Sequence, residues 1–162
     1  MLESAVATLG KVLSLEPADW IWIPGERTLN CTFALFRAEF TLSEAELESK
    51  DFQAAGHILA DSRYLLWVNG VAVQWGPAPF DPRYPEADPC EFTKRLVPGK
   101  NVIGVHVLYF GYGDGTWPTG KPGLLGKFQI GKQTLVTGKE GWLCTIDRGH
   151  RPGAFKRSYL RA

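Results

Sequence analysis

The chain has 162 residues, 44% apolar, 22% charged and 12% aromatic, with six tryptophans and a formal net charge of +1. A length of this order folds as one domain, or one domain with a tail, and hides roughly 70% of the unfolded chain's surface, so its core needs no disulfide or metal staple. A charge near zero gives no field for nucleic acid, and no segment reaches the roughly 20 apolar residues of a membrane span; neither is an expected partner.

In chain order, residues 1–17 read as a leader of mixed character without the basic start and long apolar run of a secretory signal. Trp20-Ile21-Trp22-Ile23 reads as a short β run stopped by Pro24-Gly25. Asn30-Cys31-Thr32 fits the glycosylation pattern, a weak three-residue match. Thr32–Leu42 alternates, with Ala34, Phe36, Ala38, Phe40 and Leu42 on one face and Arg37, Glu39 and Thr41 on the other, the period of a half-buried strand. Ser43 and Glu46 have capping-box spacing and predict one helical turn. Phe52–Ala60 reads as a strand.

"YLLWVNGVAVQWG" (64–76) is a hairpin signal, with Asn69-Gly70 as a two-residue type I′ turn. That turn sets Val68 against Val71, Trp67 against Ala72, Leu66 against Val73, Leu65 against Gln74 and Tyr64 against Trp75. One face then holds Tyr64, Leu66, Val68, Val71, Val73 and Trp75 and is expected to be the core face, with Trp75 closing it beside Tyr64. Trp67 lies on the opposite face and needs cover from a loop or a neighbouring domain.

Residues 76–90 form a Pro-rich loop, Glu91–Leu96 a short strand, and Pro98-Gly99-Lys100-Asn101 a turn. Val102–Phe110 is a strong β run, and 111–123 a second long loop. Leu124–Ile130 and Gln133–Thr137 flank a Gly131-Lys132 hairpin turn, and Trp142–Ile146 adds a last strand. About nine short strands with Gly/Pro turns make an all-β, antiparallel sandwich or barrel over 18–147. Residues 148–162 carry five Lys/Arg and no acid, and read as a basic tail or a truncated continuation.

No residue stands out for catalysis. A glycosidase needs two carboxylates about 5–10 Å apart, and nothing marks a pair among the loop acids Asp81, Glu86, Asp88 and Asp114. No Ser sits in a GxSxG elbow, and His57 and His106 lie in strands, where a packed histidine is the default. Gly111-Tyr112-Gly113-Asp114-Gly115 follows a strand, but Trp117-Pro118 removes the helix that would hold a phosphate. Cys31, Cys90 and Cys144 cannot all pair within one chain, and no spacing suggests zinc, so they read as mostly buried thiols and no residue is assigned to a metal.

The long loops mix aromatic and acidic residues, as carbohydrate sites do. Trp117, Tyr112 and Tyr84 offer faces for a sugar to stack on, and Asp81, Asp88 and Asp114 offer acceptors for its hydroxyls. The same acids and carbonyls are oxygen donors of the kind Ca²⁺ takes, without an EF-hand pattern; no other cofactor is expected.

The segments "ADWIWIPG", "FALFRAEFTLSE", "HILADSRYLLWVNGVAV", "DPCEFTKRLVPGKNVIGVHVLYFG" and "GKPGLLGKFQI" occur in this order. The series resembles the N-terminal β-sandwich domain of bacterial α-L-rhamnosidase-like glycoside hydrolases, over roughly Trp20 to Ile146. The resemblance implies a galactose-binding-like jelly-roll fold and a non-catalytic accessory role. The acid and base would sit in a C-terminal (α/α)₆ barrel, for which 162 residues are far too few. It also implies two partners, the catalytic domain of a parent chain and a carbohydrate such as a rhamnose-containing glycan. Soluble placement in the bacterial cytoplasm, the periplasm or outside the cell is compatible with it. "VTGKEGWLCTIDRG" departs from the related form, with Gly138-Lys139 where an acidic turn is common. A free-standing lectin-like module and a purely structural docking domain are the alternatives.

Overall fold

A computed structural model describes residues 15–25, 28–81, 83–113 and 120–153. Its elements are β1 (Thr32–Leu42), α1 (Glu44–Leu47), β2 (Ala54–Ala60), β3 (Arg63–Val68), β4 (Val71–Gly76), β5 (Asp88–Glu91), β6 (Gly99–Tyr109), β7 (Leu124–Ile130), β8 (Gln133–Val136) and β9 (Trp142–Ile146). They form two antiparallel sheets, a five-stranded one in the order β4-β3-β6-β1-β9 and a four-stranded one in the order β5-β2-β7-β8. The protein is an all-β antiparallel sandwich.

Period-two alternation fills the space between the sheets. From the five-stranded sheet come Ala34, Phe36, Leu66, Val68, Ile103, Val105 and Val107; from the other come Ala54, Ile58, Leu124, Phe128 and Ile130. Phe92 meets Phe128 edge to face at 6.1 Å, a favoured aromatic geometry. Gly56 lies where a Cβ would fall 2.7 Å from the Phe128 ring, so only glycine lets β2 approach β7 there. Ser43 caps α1 as its spacing predicts, with the reciprocal Glu46 bond formed.

Some strand boundaries differ from the sequence reading. The Trp20–Ile23 run is no strand: Ile21 alone bridges Leu124, and Trp22 turns to Phe36 and Tyr109. The strand expected over 91–96 ends at Glu91, and a 3₁₀ turn follows at Thr93–Arg95. Thr93 is held there because its hydroxyl accepts the Ala54 N–H and its own N–H is bonded by Glu91.

The hairpin register carries the main correction. Asn69 (φ +50°) and Gly70 (φ +78°) both take the left-handed backbone of a type I′ turn. Val68 faces Val71 and Trp67 faces Ala72 as expected. Val73 is then an extra residue on β4, and pairing resumes as Leu66 with Gln74, Leu65 with Trp75 and Tyr64 with Gly76. A bulge of one residue moves every later side chain to the other face. Trp75 therefore does not close the core; it is 73% exposed, while Tyr64 remains buried.

Candidate functional site

Among the described residues, two surfaces stand out for contact with a larger molecule or a sugar. The first is the outer face of the five-stranded sheet. Strand pairing aligns Trp75, Leu65, His106, Leu35 and Thr145 in one row across five strands. The next row is Ala72, Trp67, Gly104, Arg37 and Leu143. Leu35 (41%), Trp67 (37%), Trp75 (73%) and Leu143 (67%) are all exposed. The bulge at Val73 adds Trp75 to the face that already held Trp67. Gly104 leaves a dip beside Trp67, whose Cβ is 3.9 Å from where a glycine Cβ would stand. Clustered apolar side chains of this kind mark interaction sites, whereas isolated ones need no explanation.

The second surface is a hollow of about 590 Å³ lined by Trp20, Asp61, Phe80, Arg83, Pro85 and Lys121, among others. Trp20 is half exposed. The Asp61 carboxyl is buried and accepts a hydrogen bond from the Ser62 hydroxyl at 2.7 Å. Burial pushes its pKa up, and the Ser62 bond partly opposes that rise. Aromatic faces beside a carboxyl and two cations give a mixed lining that suits a polyol with apolar C–H faces. Sequence reasoning missed Trp20, Asp61 and Phe80 here. Asp61 follows a strand with no aromatic neighbour in sequence, and only the fold carries Trp20 to it.

The residues singled out from the sequence fall in several places. Arg83 gathers two of them: it forms an ion pair with Asp81 at 2.6 Å, and its guanidinium lies 6.0 Å from the Tyr84 ring centre. Hydrogen bonds from Arg83 hold the Asp81 carboxyl down to about 2. Asp88 starts β5 and accepts the Tyr64 hydroxyl at 2.7 Å. Tyr112 lines a separate, mostly apolar hollow of about 420 Å³ with Cys31, Phe33, Leu108, Phe110 and His150. Trp117 and Asp114 lie outside the described residues. All three cysteines are thiols; Cys31 and Cys90 are buried and Cys144 is exposed. Among the described residues, no helix is long and apolar enough to cross a membrane.

No family model and no curated protein matches the chain. Among solved structures, a GH78 family rhamnosidase of Bacillus sp. GL1 is 32% identical, with a TM-score of 0.70, over 80% of this chain and 13% of that one. An α-L-rhamnosidase of Streptomyces avermitilis, complexed with L-rhamnose, is 21% identical with a TM-score of 0.58, over 94% of this chain and 15% of that one. The Pleurotus ostreatus lectin in its apo form is 24% identical with a TM-score of 0.54, over 90% of this chain and 40% of that one. The last two identities speak to the fold alone. The chain thus spans about one seventh of the rhamnosidases it matches and is similar to a single small domain of them.

Proposed function

We propose that this chain, similar to one small β-sandwich domain of the α-L-rhamnosidases, is a non-catalytic accessory domain of a rhamnosidase-like glycoside hydrolase. On this reading it packs against the catalytic part through the outer face of its five-stranded sheet. The carrying observation is that face, where Trp67, Trp75, Leu35 and Leu143 are gathered by strand register and exposed. The occupant is the larger catalytic part, because the matched enzymes are several times this chain's length. Burying such apolar area contributes about 25 cal/mol per Å², part of which offsets the entropy of association. The first test is turnover: the purified chain should hydrolyse no aryl α-L-rhamnoside. Turnover that is lost when a loop carboxylate is replaced would overturn the reading.

A second reading is supported by the Trp20–Asp61–Phe80–Arg83 hollow: the domain itself binds carbohydrate, with rhamnose-containing glycans as the class to try. Its test is calorimetric titration of the chain with L-rhamnose and rhamnose-containing oligosaccharides. Trp20→Ala, Tyr84→Ala, Tyr112→Ala and Trp117→Ala map the site. Absence of saturable binding to any of these sugars removes this reading and leaves the docking role intact. Ca²⁺ belongs to it only if sugar binding disappears with a chelator and returns with the ion.

A further inference from the structure

We propose that His106, Asp147 and His150 form a three-donor site for one divalent transition-metal ion of the zinc class. His106 projects from the middle of β6 on the outer face, between Leu35 of β1 and Leu65 of β3. Asp147 directly follows β9, and its N–H bonds the Phe33 carbonyl at 2.8 Å, which fixes the chain as it leaves the sheet. The turn after it brings His150 back over the sheet. The Phe33 ring stacks on His150 at 4.0 Å and lies 5.2 Å from His106, so one side chain orients both imidazoles.

The donor atoms are already gathered. His106 Nε2 lies 3.0 Å from Asp147 Oδ2, and His150 Nδ1 lies 2.8 Å from the same oxygen. All three fall within 4.8 Å of one another. Donors 2.0–2.2 Å from a tetrahedral zinc ion stand roughly 3.3 Å apart, so the ion needs Asp147 Oδ2 to draw back by a few tenths of an ångström and the two imidazole nitrogens to close from as much as 4.8 Å. The other carboxylate oxygen, Oδ1, accepts the Gly149 N–H at 2.8 Å. That bond turns Oδ2 toward the histidines, the arrangement by which outer groups orient metal ligands.

A plain hydrogen-bonded His–Asp–His latch accounts for less of this. His106 Nε2 is buried and close to Oδ2, yet it makes no aligned hydrogen bond. A buried ring nitrogen without an aligned partner is costly, and coordination to an ion would satisfy it. Two imidazoles and one carboxylate suit zinc and its neighbours rather than Ca²⁺ or Mg²⁺, which take oxygen ligands. Three protein donors leave a fourth position for water or an external ligand. His57 and Cys144 are not part of the cluster. The inference rests on these residues alone and stands whether or not the docking role does.

The test is titration of the 162-residue chain with ZnCl₂ near neutral pH, by calorimetry and by thermal melting, with CaCl₂ and MgCl₂ in parallel. The expected result is one zinc per chain and a zinc-dependent rise in melting temperature, with neither effect from Ca²⁺ or Mg²⁺. His150→Gln and Asp147→Asn should each weaken binding roughly tenfold or more and abolish the rise; His106→Gln should do the same. Cys144→Ser, which removes the exposed thiol, should leave binding unchanged. His150 is exposed, so its variant keeps the test intact if His106→Gln fails to fold. Absence of stoichiometric zinc binding, or equal affinity in His150→Gln and Asp147→Asn, would overturn the proposal. Equal affinity for Ca²⁺ would overturn it as well.

Discussion

Replacing Tyr64 by Phe removes one buried oxygen and tests the bulge that sets the outer face. The Tyr64 hydroxyl donates to Asp88 Oδ2 at 2.7 Å and accepts from Gln74 Nε2 at 2.8 Å. Burial pushes the phenol pKa far up, so the group stays a neutral donor across the working pH range. Both bonds exist because the extra residue Val73 sets the small Gly76, and not Trp75, opposite Tyr64. A hydrogen bond to a charged group contributes about 1.5–3 kcal/mol, and removing the hydroxyl also strips a partner from Gln74. The expected cost is about 2–3 kcal/mol, a fall in melting temperature of roughly 4–12 °C for a chain of this size. Trp75→Ala, by contrast, should cost under about 0.5 kcal/mol, as at other exposed positions. Urea unfolding of the two variants decides the point. A neutral Tyr64→Phe beside a Trp75→Ala costing several kcal/mol would mean that the hairpin pairs without the bulge and that Trp75 is a core residue.

Further variants check neighbouring contacts. Gly76→Ala would place its Cβ on the Asp88 carboxylate and the Tyr64 hydroxyl, and should lower stability by about 1–3 kcal/mol in the same unfolding assay. Asn69→Ala should cost about 3 kcal/mol, since it loses bonds to Arg95 O, Asn101 Oδ1 and Val102 N and must hold a left-handed φ. Ellman's reagent near pH 8 should label Cys144 promptly and Cys90 only on unfolding, because burial pushes the Cys90 thiol up to about 12. Asp61 has a raised pKa, so the folded state binds its proton more tightly than the unfolded chain, and stability falls as pH rises from about 4 through the folded value. Asp61→Asn should therefore gain stability relative to the native chain as pH rises over that window, as measured by denaturation at stepped pH.

The strands were legible wherever alternation was strong. Thr32–Leu42 forms over the expected residues, because an apolar face of period two has one way to bury itself, and Trp142–Ile146 also forms where expected, as an edge strand with no fully buried side chain. The Asn-Gly turn was equally readable. The bulge was not: a two-residue turn fixes register only until an extra residue enters, and Val73 fits either face by composition. Trp20–Ile23 shows the converse limit. A β-prone run without a long free edge to pair against becomes a packing segment, with Trp22 Nε1 donating to Thr28 Oγ1. The outer face was half legible, since Trp67 was placed there and Trp75 was not. The His106, Asp147 and His150 cluster had one local signal, Asp-x-x-His after the last strand. Its third member lies about forty residues earlier and joins only through the β1–β6 and β1–β9 pairings.

Docking of the tryptophan-bearing outer face onto a larger rhamnosidase-like catalytic part is tested by calorimetric titration of the chain into a rhamnosidase catalytic polypeptide that lacks its own small β-sandwich domain. The native chain should bind one to one, and the Trp67→Ser/Trp75→Ser double variant should lose binding while its far-UV spectrum is retained. No association with the native chain, or equal association with the folded double variant, would rule out docking through this face.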